Sequence, residues 1–489
     1  MITDRKTWLL CIALSCLLAG IVLVQAQSSA DRPAAAAQTA PPPPGTEPPA
    51  SVTEEHRVTP QEARELFHSI DEILKFSSDD TGLPIKRKVK RKLISRDEVV
   101  AYLTKHMSED EDAQRLRRSE LVLKKFGLLP REFDLQKFLV ALLREQVAGF
   151  YEPKSRTVNL LDWVDVEQQK PVLAHELTHA LQDQSFGLEK WMKDQDITSK
   201  KDPTATDIEE DEISTARQAV VEGQAMVTLI DYTLAPMNKS LLNSPEVAEA
   251  LKQGMLVGTA DSIEFHNAPI FLKEALTFPY RYGLDFEAAL LKQGKQKAFV
   301  DVFKDPPRST RQIMEPETYL SGERIEPMKL PDFKTIFKNY ERFDIGAMGE
   351  FDVAILVDQY AGVESSRRIY PHWRGGYYYA AKNKDNETAP LGLFYASRWS
   401  SAEWASEFAA IYAQSLPKRY RRVREAAVDG AKPLDLDKIE RFSGTHTFLT
   451  EEGPIVIEVA GDTVLVTESL DPQVTDQLEA TVFGAAGKR

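Results

Sequence analysis

His175-Glu176-Leu177-Thr178-His179, inside the run PVLAHELTHALQDQ, constrains this 489-residue chain more than any other stretch. Residues four apart share a face of an α-helix, so a helix here aims both imidazoles at one point. Glu176 stands beside them, where a carboxylate accepts a proton from water activated by a metal ion. Five residues with three fixed letters also arise by chance, and ordinary helix histidines are the competing reading, so the flanking residues must decide. Pro171 suits the first turn of a helix and Gly187 suits its stop. Leu173, Leu177, Ala180 and Leu181 form an apolar stripe opposite the histidines. Asp183 falls one turn after His179 on the ligand face, where a carboxylate can orient an imidazole from behind.

A catalytic zinc site takes three protein ligands and leaves one position for water. The next strong helical pattern opens near Thr206-Asp207 and runs through DIEEDEISTARQAVVEGQAMVTLIDY. Ile213, Ala216, Val220 and Val227 make its apolar face, and Ala219, Glu222, Ala225 and Met226 a flanking one. A carboxylate among small and apolar residues costs several kcal/mol unless a cation pairs it. Glu222, 43 residues after His179, is therefore the expected third ligand, and Gly223 beside it permits close approach of another helix. The competing reading is a buried Glu222 paired to Arg217. Glu209, Glu210, Asp211 and Glu212 read as solvated charge in the first turns.

HELTHALQDQ followed by a helix bearing Glu222-Gly223-Gln224-Ala225 resembles the gluzincin group of metallopeptidases, and in particular a set of bacterial exported zincin-like proteins. The likeness runs from about Leu121 to Phe408 and takes in AGFYEPKSRTVNLLD, FPYRYG, PPRSTRQIMEPETY and HWRGGYYYAA. It implies a zincin-like core, one Zn2+ held by His175, His179 and Glu222, and a peptide or protein as substrate. The chain departs from the resemblance at Arg311, where an acid is usual, and at Glu315, where a His is expected before the Pro.

With 61 basic against 75 acidic residues the net charge is −14, so no cationic surplus exists to neutralise phosphates and nucleic acid is excluded as a general partner. The local exception, Lys86 to Lys92, reads as an exposed basic segment docked by Ile85, Val89 and Leu93. Residues 1–26 read as a signal peptide: Arg5 and Lys6, an apolar stretch from Trp8 to Val24, then Val24-Gln25-Ala26 for cleavage. Export to a bacterial periplasm, envelope or exterior follows, with an uncleaved N-terminal anchor as the alternative. Cys11 and Cys16, the two cysteines of the chain, fall inside that stretch, which leaves the mature protein no thiolate chemistry. Residues 27–58, rich in Pro and Ala, form a linker without an apolar period.

Thr59-Pro60-Gln61-Glu62 and Ser95-Arg96-Asp97-Glu98 are capping boxes, which makes 59–130 an N-terminal helical region. The core follows over 131–330, then an α/β region over 331–440 with paired strands at YYYAAK and LGLFYASRW, then a terminal β-hairpin and tail over 441–489. The expected class is α+β, mostly helical. GFYEPKSRTVNLL reads as strand, turn, strand, and the strand before the metal helix is expected to be an edge beside the cleft, able to take an extended peptide by main-chain hydrogen bonds. Glu176 is the expected general base. Tyr280 is the first candidate to stabilise the oxyanion, with His266, Tyr282 and His372 as others. Two other functions compete: a catalytically weak zinc-containing envelope binding or scaffold protein, and a zinc amidase or aminopeptidase on small substrates.

Overall fold

A computed structural model describes residues 57–99, 101, 110–145, 149–192, 200–250, 262–294, 296–427 and 432–484. The expected leader and all but the last two residues of the expected linker lie outside them. The chain is α+β with helix predominant, 55% helical and 17% strand. Among the described residues no helix is long and apolar enough to cross a membrane.

The N-terminal half stacks helices on a small sheet. Helix α1 (Pro60–Thr81) starts at the expected capping box, with Thr59 and Glu62 exchanging side-chain hydrogen bonds with each other's backbone. Strand β1 (Lys90–Ile94) follows, then α2 (Asp110–Phe126), α3 (Leu135–Glu145), β2 (Phe150–Glu152) and β3 (Thr157–Leu161). The region expected to be helical thus also supplies a strand, and the basic run ends in it. β1 pairs parallel with β3 at one edge of the sheet; its first three residues, Lys90, Arg91 and Lys92, are exposed and Ile94 is buried. The sheet order β1-β3-β2 makes β3 the central strand, so the strand immediately before the helix bearing the motif is paired on both sides and the sheet's edges belong to β1 and β2.

Helix α4 (Val166–Phe186) carries the motif. It begins five residues before Pro171, because Asp165 caps the N–H groups of Glu167 and Gln168. The Gln169 amide then clamps both backbone groups of Leu161, tying the first turns to β3. Gly187, with φ +69°, ends the helix as expected. Helix α5 (Ala205–Leu234) starts earlier than the sequence suggested, since Thr204 rather than Thr206 forms a capping box with Asp207. Helix α6 (Ile270–Gly294) crosses α5 at Gly223 and Gly283. A Cβ on Gly223 would stand 2.3 Å from the Gly283 carbonyl, so both glycines are needed for this backbone contact.

The C-terminal half is a seven-stranded antiparallel sheet with helices on both faces. Its strands are β4 (Tyr340–Ala347), β5 (Trp373–Asn383), β6 (Gly392–Trp399), β7 (Val423–Glu425), β8 (Gly444–Thr450), β9 (Gly453–Ala460) and β10 (Thr463–Glu468), in the order 4-5-6-10-9-8-7. Tyr378, Ala380, Leu393 and Tyr395 join the core shared with the helices, while Tyr377, Tyr379, Phe394 and Ala396 face a second core. Burial on both faces explains the unbroken apolar runs YYYAA and LFYA. The expected boundary at 440 is not a break in the fold: β10 of the terminal hairpin pairs with β6 along its length. Helices α7 (Glu350–Ala361) and α8 (Ala402–Arg419) supply the helical part of the expected α/β region, and α9 (Pro472–Phe483) occupies what was expected to be tail.

Candidate metal centre

α4 and α5 pack with His175, Glu176, His179 and Glu222 at their contact, each 2% exposed or less. The Nε2 atoms of His175 and His179 lie 3.1 Å apart. Glu222 Oε2 lies 3.2 Å from the first and 3.4 Å from the second. Metal–ligand bonds of ~2.0–2.1 Å in tetrahedral array set ligand atoms roughly 3.3 Å apart, so this triangle matches one face of such a site. Glu222 Oε1 is buried without a hydrogen-bond partner among the described residues. These three residues could together hold a metal ion. Arg217, the alternative partner for Glu222, instead lies over the Trp191 ring at 5.4 Å and donates to the Trp191 carbonyl.

Without an ion, Glu222 and His179 form a buried ion pair. Burial pushes the Glu222 carboxyl up, but the His179 charge and hydrogen bonds with both imidazoles outweigh it and hold it down at about 2. Burial drives His175 below the usual imidazole range. The same burial acts on His179, and there the neighbouring Glu222 carboxylate overcomes it and raises the ring to about 9. A carboxylate held ionised in a dry site is costly unless positive charge faces it.

Glu176 lies on the same helix, and its Oε2 accepts a 2.7 Å hydrogen bond from the Tyr151 N–H of β2. That link docks the β2 edge of the small sheet against the proposed base. Tyr280 from α6 is 1% exposed, and its ring stacks at 6.3 Å and 28° on the His175 ring. Of the four expected oxyanion candidates it is the one with a ring contact to a ligand. His372 stacks on Trp404 at 3.8 Å, with Nδ1 2.9 Å from the Ser400 hydroxyl. Tyr282 packs on Phe278 and Arg281, and His266 ends a short surface helix.

Asp183 does not orient an imidazole. It accepts from Arg87 and from the Tyr151 hydroxyl, both at 2.9 Å, and from the Leu188 N–H. It points toward β2 and braces that strand, because its four-residue step from His179 turns it past the ring. Gln182, three residues after His179, makes the contact instead: its Oε1 lies 2.9 Å from His179 Nδ1. Gln224 stands behind it at 2.9 Å. The signal for Gln182 is present in the sequence as a polar residue at i+3 of a ligand, a spacing that shares a helix face as well as i+4 does. The acidic run 209–212 is also not wholly solvated. Glu212 is buried and accepts from the Thr310 N–H at 2.7 Å, and Asp211 accepts from the Ala347 N–H at 3.0 Å. Arg311, unusual for the resemblance, is buried among Glu315, Glu323 and Glu350 as a structural ion cluster. No protein-family model, curated protein or solved structure matches this chain.

Proposed function

We propose that the chain is an exported zinc-dependent metallopeptidase of the gluzincin kind, with a zincin-like core. The observation that carries this reading is the convergence of three buried ligand atoms, 3.1 to 3.4 Å apart, beside a second carboxylate, Glu176, on the helix that bears both histidines. Two imidazoles and one carboxylate are a donor set suited to Zn2+ rather than to the all-oxygen cations Ca2+ and Mg2+. Export rests on residues 1–26 alone.

Zinc bound here would supply Lewis-acid polarisation of a scissile carbonyl and lower the pKa of a water. Glu176 takes the proton of the attacking water at a carboxylate oxygen and returns it to the departing amine. For that, the oxygen now held by the Tyr151 N–H either stays there as an anchor while Oε1 reacts, or exchanges that partner for water. The Tyr280 phenol donates to the developing oxyanion. An extended peptide lies along the open edge of β2.

Glu176→Gln decides between turnover and mere metal retention. Hydrolysis of unfolded casein by the mature protein is expected to fall by roughly 10²–10⁴-fold with bound zinc unchanged. Equal hydrolysis by both proteins would remove the peptidase reading. Short blocked and unblocked peptides, run beside casein, separate an endopeptidase from an aminopeptidase or small-substrate amidase. One observation favours the second reading, a zinc-containing binding or scaffold protein: all three ligands and Glu176 are buried, and Glu176 is already engaged by β2. Full zinc with no hydrolysis of any of these substrates would select it.

A further inference from the structure

His179 has two ring nitrogens, and only one can face Glu222. Its Nε2 does so, which leaves Nδ1 against Gln182 Oε1. An amide side chain can turn over, placing its NH₂ where its oxygen was, so the orientation of Gln182 needs an independent argument. The other end of the amide supplies it. Gln182 Nε2 lies 3.1 Å from the Val221 carbonyl and 2.9 Å from Gln224 Oε1. Gln224 Nε2 in turn lies 3.3 Å from the Phe299 carbonyl. Backbone carbonyls only accept, so each end of this relay terminates in a group that dictates its polarity. Turning either amide over would set oxygen against oxygen at full burial, at a cost of about 1–3 kcal/mol for each unsatisfied group.

We infer that Gln182 is a positioning residue for the metal ligand His179: the buried relay Phe299–Gln224–Gln182 fixes the proton on Nδ1 and so presents the Nε2 lone pair to the ion. The inference rests on the metal reading and adds to it a link between the helices. Gln182 belongs to α4, while Val221 and Gln224 flank Glu222 on α5, so one side chain aligns a ligand of each helix with the other. Both glutamines are fully buried, which keeps water from substituting for either. An oxygen acceptor behind a ligating imidazole also raises its basicity, and loss of such a partner typically weakens metal binding 10–100-fold.

The test is zinc affinity of the mature protein by chelator competition, with melting of the metal-free protein measured alongside. Gln182→Met keeps the volume and removes the acceptor, and is expected to bind zinc about 10–100-fold more weakly. Gln182→Glu keeps an oxygen toward Nδ1 and is expected to retain affinity within about threefold, although it loses the donor to Val221 and melts lower. Gln224→Met, one link away, is expected to lose less than Gln182→Met. Should Gln182→Met fail to fold, Gln182→Asn, which withdraws the carbonyl by one methylene, carries the same expectation. Wild-type affinity in Gln182→Met or Gln182→Asn, or equal loss in Gln182→Glu and Gln182→Met, would overturn the inference. Wild-type protein that takes up no zinc would overturn the metal reading itself, a result distinguishable before any variant is made.

Discussion

Glu222 in the helical half and Glu468 in the seven-stranded sheet are both fully buried carboxylates, and they differ in what surrounds them. Glu468 receives two hydrogen bonds from Arg419, at 2.7 and 2.8 Å, one each from the Tyr412 and Tyr420 hydroxyls, and the Lys125 ammonium at 3.8 Å. Burial pushes its carboxyl up, but Arg419 and Lys125 outweigh that and hold it below the usual range. Every lone pair is used, and permanent cations neutralise it. Glu222 has only the two imidazoles, at 3.2 and 3.4 Å, and its second oxygen has no hydrogen-bond partner among the described residues. Burial alone therefore says little about role. A carboxylate whose lone pairs are all taken by hydroxyls and permanent cations holds a fold together, whereas one paired only with imidazoles, which can give up their protons to a metal, is arranged for an ion.

Exchanging each residue for alanine is the strongest way to break that comparison. Glu222→Ala is expected to abolish stoichiometric zinc binding while leaving a folded protein, as read by metal analysis and circular dichroism. Glu468→Ala is expected to keep the zinc and lose about 3–5 kcal/mol of stability in denaturant titration, because Arg419 is left buried and unpaired. If Glu222→Ala destabilises as much as Glu468→Ala and still binds zinc, the two sites are of one kind.

Glu212 is a third case, a buried carboxyl with hydrogen bonds but no facing cation among its described contacts. Burial, then the Asp352 charge, raises it from 4.5 to about 7. The folded state thus holds its proton more tightly than the unfolded chain does. Its contribution is fully present below pH 4.5 and is lost as pH rises to about 7, by roughly 3 kcal/mol at most. Glu212→Gln is expected to flatten the fall of denaturation midpoint across that window, and an unchanged slope would assign the fall to other groups.

Smaller effects sharpen the comparison between the halves. Gly223→Ala forces α5 from α6 and is expected to cost about 1–3 kcal/mol, with weakened zinc affinity because Glu222 moves with its neighbour. Gly461→Ala, in the β9–β10 turn at φ +59° with nothing near its Cβ, is expected to cost about 1–2 kcal/mol of backbone strain and leave zinc affinity unchanged. Equal zinc affinity in both variants would mean that the helix crossing does not set the ligand geometry.

The sequence by itself determined the helix bearing His175 and His179, the candidacy of Glu222, the β2–β3 hairpin, and the paired strands at YYYAAK and LGLFYASRW. These follow from local rules: four-residue spacing on a helix, an acid among small apolar residues, turn residues between extended runs. It also marked Gly223 as a place of close approach. The tertiary structure alone decided that Gln182 rather than Asp183 stands behind His179, that β1 joins the small sheet, that Glu212 is buried, and that the terminal hairpin continues the sheet of β5 and β6. Each of these depends on which long-range partner reaches a side chain or strand edge first. Arg87 and Tyr151 claim Asp183 from 96 and 32 residues away, and no local pattern in HALQDQ encodes them.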